Sequence, residues 1–460
     1  MSKKPNVVLI LIDDMGYRDL ACAGSNFYET PNIDRLADEG VSFTNAYAAC
    51  PVCSPSRASL LTGKYPAKIG VTDWIGAHSR GKLIDAPYTD HLPLSEDNLA
   101  HILKREGYNT YHVGKWHLGR EEFYPQYQGF DVNIAGGHAG HPMNGYFSPY
   151  HLDNLTDGPD GEYLTDRITD EALSLISGQH DAPFFLFLAH YAVHTPIQAK
   201  TEDIRYFEQK AKRLGLDKTD PFVLCEEFPC CHMRGQHVTR RTLQSDPAYA
   251  AMIYNLDYNI GRVVEQLKKD NLYEDTVILF TSDNGGLATA QGSPTSNCPA
   301  AEGKGWIYDG GLRVPLLISH PKMAVKQKVH TPTTTPDILP TILDLCGSAA
   351  APKDIDGISM LPAMRGENTP EREEIFWHYP HYGDQGGTPA AAVRKGNFKL
   401  IRFFEDEHIE LYNLKEDVSE SVNLAPDSPH IAQNLLTLLN DWIESACGIL
   451  PLPNPDYSEA

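Results

Sequence analysis

The sequence predicts an α/β protein with a large, mostly parallel sheet sandwiched by helices and a small antiparallel sheet at its C-terminal end. Two observations lead to this fold class. Short apolar runs that suit buried strands alternate with segments of helical periodicity through most of the chain, the pattern of a parallel sheet covered on both faces. After about residue 365, polar and apolar residues alternate between turn residues, which is typical of an antiparallel sheet.

The individual elements follow from these patterns. Buried strands are expected at 6–12, 184–191, 276–282 and 315–319, with helices at 97–107 and 248–269. Antiparallel strands are expected within 373–379, 390–404 and 408–414, before a last helix that begins at Ser428 and Pro429 and has Ile431, Leu435, Leu438, Leu439 and Trp442 on one face. We therefore predict a main α/β domain over 1–365, with 200–247 as an insertion or lid. A C-terminal subdomain over 366–460 is expected to contribute to the ligand pocket.

Composition argues against several classes of partner. The 460 residues carry a formal charge of -22, from 39 basic and 61 acidic residues, so neither nucleic acid nor a membrane surface is an expected partner. The nine cysteines are irregularly spaced and do not suggest a disulfide framework. The first apolar run stops at paired aspartates and lacks a cleavage site, so it predicts a strand and not a signal peptide. The chain is expected to be cytoplasmic as given, or periplasmic or secreted if a leader was removed.

Polar side chains follow two of the buried strands at the point where each strand ends. Asp13 and Asp14 come directly after the first run, and Asp283 and Asn284 follow the run at 276–282. Ligands of parallel sheets bind beyond the carboxyl ends of the strands. A single Asp or Asn there is more often a turn former. Two pairs at matching strand ends favour a cation held by oxygen atoms, which indicates Ca²⁺ or Mg²⁺ over Zn²⁺.

Two further motifs combine an anion site with groups for proton transfer. "PVCSPSRASLLTG" places Cys53 at the start of a predicted helix, where backbone N–H groups favour an anion, and Arg57 adds further donors. A buried cysteine before an ordinary helix is the alternative. "GYNTYHVGKWHLG" presents Lys115 and His117 at alternate positions, so that a cation and an imidazole can face one side of an extended segment. Gly114 just before them allows close approach of the backbone.

These two motifs resemble the signatures of the type I, formylglycine-dependent sulfatases. Further motifs similar to those of the family occur in family order along nearly the whole chain: "NVVLILIDDMGY", "HYAVHTP", "TSDNGG", "KGWIYDGGLRVP" and "ELYNLKEDVSESVNLA". The resemblance implies an alkaline-phosphatase-like α/β core with a small C-terminal sheet subdomain. That fold agrees with the one predicted from the residue patterns alone.

The resemblance also implies a mechanism and roles for individual residues. Cys53 would be oxidised to Cα-formylglycine by a formylglycine-generating or an anaerobic maturation enzyme, and a hydroxyl of the hydrated aldehyde would attack the sulfur of a sulfate ester. The implied metal, usually Ca²⁺ in the family, would be bound by Asp13, Asp14, Asp283, Asn284 and the modified Cys53. The other matching residues are Arg57 and His117 on the formylglycine hydroxyls, Lys115 and Lys304 on the sulfate oxygens, and His194 as the acid that protonates the leaving alcohol.

Loops around the pocket are expected to set the substrate. The candidate contacts combine aromatic faces with hydrogen-bonding groups and are His78, Arg80, His138, His141, His378, His381, Tyr382 and Asp384. The stretch "HYPHYGDQGG" resembles bacterial glycan exosulfatases, which implies an exo-acting enzyme on a sulfated mono- or oligosaccharide such as 4-O-sulfated N-acetylgalactosamine or galactose. A broad arylsulfatase and a phosphonate monoester or phosphodiester hydrolase are the enzymatic alternatives. If Cys53 is not matured, a sulfated-glycan binder is the alternative outside enzymes.

Overall fold

The structure is a computed structural model that describes residues 4–79, 81–290, 292–323, 326–367 and 372–458. Its longer strands are β1 (Asn6–Ile12), β2 (Val41–Phe43), β3 (Asn109–Gly114), β4 (Val132–Ile134), β5 (Phe184–Ala189), β6 (Phe222–Glu227), β7 (His237–Arg241), β8 (Thr276–Ser282), β9 (Leu316–Ser319), β10 (Gln327–Val329), β11 (Glu374–Tyr379), β12 (Ala390–Lys395), β13 (Phe398–Phe403) and β14 (Ile409–Asn413). Two-residue strands lie at Ala46–Tyr47, Leu83–Ile84, Thr333–Thr334 and Leu452–Pro453. The α-helices are α1 (Pro31–Glu39), α2 (Cys53–Thr62), α3 (Pro66–Ile69), α4 (Leu99–Arg105), α5 (Leu164–Ile176), α6 (Thr201–Leu214), α7 (Pro247–Lys269), α8 (Asp309–Leu312), α9 (Ile338–Leu345), α10 (Leu361–Met364) and α11 (Pro429–Ser445).

An eight-stranded sheet forms the centre of the molecule, in the order β10-β2-β9-β8-β1-β5-β3-β4. All neighbouring strands in it are parallel except β9, which runs antiparallel to both β8 and β2. The predicted strands at 6–12 and 276–282 match β1 and β8 residue for residue. The mostly parallel α/β fold class predicted from the sequence is therefore confirmed.

Helices cover both faces of this sheet, as the side chains of β1 show. Alternate residues of β1 belong to two separate apolar clusters, one with Val8, Ile10 and Ile12 and the other with Val7, Leu9 and Leu11. The first cluster includes residues of α1, α5, α6 and α7, and the second includes residues of α2, α4 and α9. A strand that is apolar at every position is the pattern expected where both faces are buried. Among the described helices, none is both long enough and apolar enough to cross a bilayer.

The small antiparallel sheet of β11 to β14 is also confirmed. Helix α11 packs on one face of it, while Trp377 on the other face packs against Tyr47 of the main domain. Ile431 is 36% exposed, so its predicted place on the buried face of α11 is wrong, and Ala432 takes that place. The side chain of Ser428 makes no capping hydrogen bond. The boundary between 365 and 366 stays a prediction.

The segment at 200–247 contains two different parts. Phe207 and Ala211 of α6 are buried in the core that also includes α7, so this helix belongs to the layer that covers the sheet. The β6–β7 hairpin is exposed on its first strand, where Leu224 is 71% exposed, whereas Cys230 in its turn and Val238 in its second strand are buried. Any role as a lid therefore stays a prediction for the hairpin, because the helix is fixed in the core.

Candidate active site

The carboxyl ends of β1 and β8 form the floor of the candidate site. The two strands are parallel neighbours and pair up to their last residues, so Asp13 and Asp14 lie beside Asp283 and Asn284. The four side chains are at most 2% exposed. Asp14 adopts a left-handed φ of 63°, and its backbone N–H donates to Oδ1 of Asp283 at 3.2 Å. The pairing of strand ends inferred from the sequence is thus present in the fold.

Basic side chains contact each of the three carboxylates. The pairs are Lys115 Nζ with Asp13 Oδ2 at 2.6 Å, Lys304 Nζ with Asp14 Oδ2 at 2.9 Å, and Arg57 Nη2 with Asp283 Oδ2 at 2.8 Å. Arg57 also donates through Nε to the same oxygen of Asp283 and through Nη1 to the carbonyl oxygen of Lys115. Arg57 therefore holds Asp283 and the Lys115 backbone in fixed positions below the cavity.

Two oxygen atoms of the floor are available as ligands for a cation. Oδ1 of Asp13 and Oδ1 of Asn284 are buried, and no described residue forms a hydrogen bond with either atom. Burial raises the pKa of Asp13 to about 8, with Asp283 and Asp14 adding to the rise and Lys115 opposing it. The ammonium group of Lys115 and the Arg57 guanidinium, 3.7 Å from Oδ1 of Asp13, thus do not offset the burial of this carboxylate. The residues present therefore fit a divalent cation with oxygen ligands, the donor set of Ca²⁺ or Mg²⁺.

Cys53 begins α2 and faces His117 across the floor, with Sγ 3.3 Å from Nδ1 of the imidazole. Nε2 of His117 lies 3.3 Å from the carbonyl oxygen of Ile75, an arrangement that assigns the ring proton to Nε2 and leaves Nδ1 as an acceptor. Burial, together with Lys115 and Arg57, lowers the pKa of His117 and keeps the ring neutral. Burial also raises the pKa of the Cys53 thiol. A neutral imidazole thus faces a neutral thiol.

The backbone before His117 needs glycine. Gly114 has a φ of 108°, and a Cβ built there would collide with the carbonyl oxygen of Ala189. This close approach lets the N–H of Lys115 donate to the same carbonyl oxygen at 2.7 Å. The strand end that carries Lys115 is thereby fixed against β5, as the glycine in the motif predicted.

His194 is paired with Lys304. Its Nδ1 is 2.8 Å from the carbonyl oxygen of Thr195, and its Nε2 is 2.9 Å from Nζ of Lys304. Nδ1 therefore carries the ring proton, and Nε2 accepts from the ammonium group. Burial and the charge of Lys304 lower the pKa of His194. The ring of His141 stacks on His194, with centroids 5.8 Å apart and planes at 10°.

A cavity of about 330 Å³ opens above this floor. It brings together the predicted residues Cys53, His117, His138, His141, His194, Lys304 and Asp384. Its wall also includes Trp74, Ile75, Met143 and Gln385, which sequence reasoning missed. These four lie inside the loops that the sequence marked as candidates. Apolar and amide side chains give no distinctive signal in a loop sequence, because such residues are also common in loops that bind no ligand.

Four of the predicted substrate contacts are absent from the described lining of the cavity. Nε2 of His378 bonds to the carbonyl oxygen of Ile449 at 3.0 Å, Nε2 of His381 to Oγ1 of Thr72 at 2.9 Å, and the Tyr382 hydroxyl to Glu405 at 2.5 Å. The side chains of these three are buried in contacts within the fold, which corrects their expected role, and His78 is exposed outside the cavity. Arg80 lies outside the described residues.

The chain is similar to known sulfatases over most of its length. Residues 5–348 match the family described as Sulfatase, and residues 302–445 match the one described as N-sulphoglucosamine sulphohydrolase, C-terminal. A sulfatase of Formosa agariphila is 31% identical over 93% of this chain and 86% of its own length. The N-acetylgalactosamine-6-sulfatase of Mus musculus is 32% identical over 86% of this chain and 71% of its own. The solved structure of Ps i-CgsB superposes with a TM-score of 0.76 at 29% identity and covers 97% of this chain and 95% of that one.

Proposed function

Because the chain belongs to the sulfatase family and is therefore a sulfuric ester hydrolase, we propose that it removes sulfate from a sulfated mono- or oligosaccharide. In this reaction water is consumed, the S–O ester bond is cleaved, and the sugar alcohol and sulfate are released. The observation that carries the proposal is the convergence of Cys53, His117, His194 and Lys304 on one cavity above a buried carboxylate floor. The cavity volume of about 330 Å³ lies near the lower end of the range for ligand pockets, which favours a terminal sugar over an internal one.

We infer that Cys53 is converted to Cα-formylglycine by a maturation enzyme and that Asp13, Asp14, Asp283 and Asn284 hold Ca²⁺, with Mg²⁺ as the alternative. The hydrated aldehyde supplies an oxygen nucleophile and the cation supplies positive charge beside it. The raised pKa of Cys53 supports a modification, because a buried neutral thiol is a weak nucleophile. The unpartnered oxygens of Asp13 and Asn284 support the cation.

The two imidazoles suit two different proton transfers. Nδ1 of His117 is free to accept a proton from residue 53, since Nε2 is committed to the Ile75 carbonyl. Nε2 of His194 accepts from Lys304, so a proton held by this pair can be given to the oxygen of the leaving sugar. The ammonium groups of Lys115 and Lys304 provide the positive charge that the sulfate oxygens require in the transition state.

The similarity to N-acetylgalactosamine-6-sulfatases makes the 6-O-sulfate a second candidate beside the expected 4-O-sulfate. Curated relatives of that name from Mus musculus and other mammals act at the 6-position by their names. We therefore place 6-O-sulfated N-acetylgalactosamine first and its 4-O isomer second. An acidic protein of charge -22 favours such short substrates over a long polyanion, because the polyanion meets net repulsion.

The test combines mass spectrometry with substrate comparison on protein made in its native host. The tryptic peptide 36–57 contains both Cys50 and Cys53, so Cys50 is an internal control. We expect loss of the thiol sulfur and gain of an aldehyde oxygen at Cys53 alone, and hydrolysis of a sulfated sugar. Faster hydrolysis of phenylphosphonate than of nitrophenyl sulfate would overturn the sulfatase assignment of the site. Turnover of aryl sulfates with no sulfated sugar hydrolysed would overturn the carbohydrate substrate.

A further inference from the structure

A second cluster of metal-ligating side chains lies outside the cavity, where the loop after α3 meets the turn after β11. Asp73, Asp85 and His381 each place one ligand atom within 4.8 Å of the other two. The side chains of Asp73 and His381 are fully buried, and that of Asp85 is 18% exposed. This cluster has a mixed donor set, one nitrogen and two oxygens, unlike the strand-end pairs of the cavity floor.

Each of the three side chains uses one polar atom in hydrogen bonds within the fold, and its other polar atom has no partner in the part of the chain that the structure describes. The partnered atoms are Oδ1 of Asp73 with the Tyr379 hydroxyl and the Trp74 N–H, Oδ2 of Asp85 with the Ser79 N–H, and Nε2 of His381 with the Thr72 hydroxyl. Oδ2 of Asp73, Oδ1 of Asp85 and Nδ1 of His381 are buried and have no hydrogen-bond partner among the described residues, which do not include Arg80. These three unpartnered atoms are the ones that converge.

The spacing of the converging atoms is too wide for hydrogen bonds. Nδ1 of His381 lies 3.7 Å from Oδ2 of Asp73 and 3.5 Å from Oδ1 of Asp85. Ligand atoms around a tetrahedral Zn²⁺ at about 2.0–2.2 Å are separated by about 3.3–3.6 Å.

We propose that Asp73, Asp85 and His381 form a second divalent-cation site, with Zn²⁺ as the ion that suits one imidazole nitrogen and two carboxylate oxygens. The Thr72 hydroxyl accepts from Nε2 of His381 and so presents Nδ1 to the ion, the outer contact that metal-bound histidines commonly have. Three protein ligands leave one position of a tetrahedral ion for a water molecule.

The position of the site indicates what the ion does. Asp73 precedes Trp74, and His381 lies three residues before Asp384, and both Trp74 and Asp384 line the cavity. A cation bound by Asp73 and His381 would connect the segment that carries Trp74 to the segment that carries Asp384. The ion would therefore have a structural role in fixing the cavity wall, and its binding can be measured without any substrate.

The experiment measures Zn²⁺ bound to the full-length protein after chelator treatment, reconstitution with Zn²⁺ and gel filtration. We expect the wild type to retain one equivalent more than Asp85→Asn and His381→Gln, whose affinity for Zn²⁺ falls about 100-fold or more. Zn²⁺ should raise the melting temperature of the wild type by more than it raises those of the two variants. Asp85→Asn keeps an acceptor for the Ser79 N–H, so it tests the site even if His381→Gln does not fold.

Two matched variants locate the ion. Cys225→Ser alters another group of potential ligands, Cys225 with Glu226 and Glu302, and Asp283→Asn alters the floor of the cavity. Both should keep the extra equivalent of Zn²⁺. Co²⁺ in the proposed site should give ligand-field absorption without a thiolate charge-transfer band. Equal Zn²⁺ in the wild type and in Asp85→Asn, or loss of the equivalent in Cys225→Ser, would overturn the proposal.

Discussion

The floor and the rim of the cavity are built in different ways. The floor consists of buried residues at the ends of adjacent strands, such as Asp13 and Asp283, and a network of charged contacts fixes each one. The rim consists of Trp74, His138 and Asp384, which come from three loops far apart in the sequence. The floor is suited to the sulfate group that every substrate shares, whereas the rim is suited to the part that differs. Substitutions should therefore affect all substrates at the floor and only some at the rim.

The largest effect is expected from Cys53→Ser. The serine cannot be converted by the loss of a thiol sulfur, so turnover of every sulfate ester should fall by about 10⁴-fold or more. Hydrolysis of nitrophenyl sulfate measures the loss. Cys50→Ser is the matched control, because Cys50 is an equally buried cysteine three residues away, and it should keep most of the activity. Equal losses in the two variants would mean that the effect comes from packing.

The second largest effect is expected from removal of the cation proposed for the floor. Chelation should lower kcat for nitrophenyl sulfate by about 10³-fold, since a metal ion contributes several kcal/mol of charge stabilisation in a transition state. Activity should return with Ca²⁺ or Mg²⁺ and not with Na⁺. The same measurement on Asp85→Asn separates the floor from the second site proposed above. Full activity in the metal-free enzyme would contradict the assignment of Asp13 and Asn284 as ligands.

His194→Ala should distinguish substrates by their leaving groups. Sugar alcohols need a proton as they leave, so kcat for a sulfated sugar should fall by about 10²–10⁴-fold. Nitrophenolate leaves without a proton, so nitrophenyl sulfate should be affected far less and is the internal control. Equal losses on both substrates would assign His194 to sulfate binding, beside Lys304.

The smallest effect is expected at the rim from His138→Ala. His138 lines the cavity and its Nδ1 pairs with Asp153 at 2.7 Å, so loss of one hydrogen-bonding group should raise KM for a sulfated sugar about 10-fold. His151→Ala is the matched control, because His151 is an exposed histidine paired with Asp157 at 2.8 Å and is absent from the described lining of the cavity. Neither variant should change KM for nitrophenyl sulfate. A loss on both substrates in His138→Ala would place that residue in the floor.

The difference between the floor and the rim also explains which parts of the site could be predicted from the sequence. The strand bounds of β1 and β8 and the neighbourhood of Asp13 and Asp283 followed from local pattern, because parallel strands bring their ends to one edge. The inward direction of His381 did not, because it depends on Thr72 and Asp73 from a loop some 300 residues earlier in the chain. A histidine in a polar turn looks the same in sequence whether it faces a ligand or a buried carboxylate.

The burial of α2 limits when Cys53 could be modified. All ten residues of this helix are buried, including Cys53 at its first position. The maturation enzyme proposed for Cys53 would need the surrounding chain in an open conformation, so it would have to act before the sheet and its helices close around α2. Under this proposal maturation and folding would compete in time, and the yield of active molecules would depend on which finishes first.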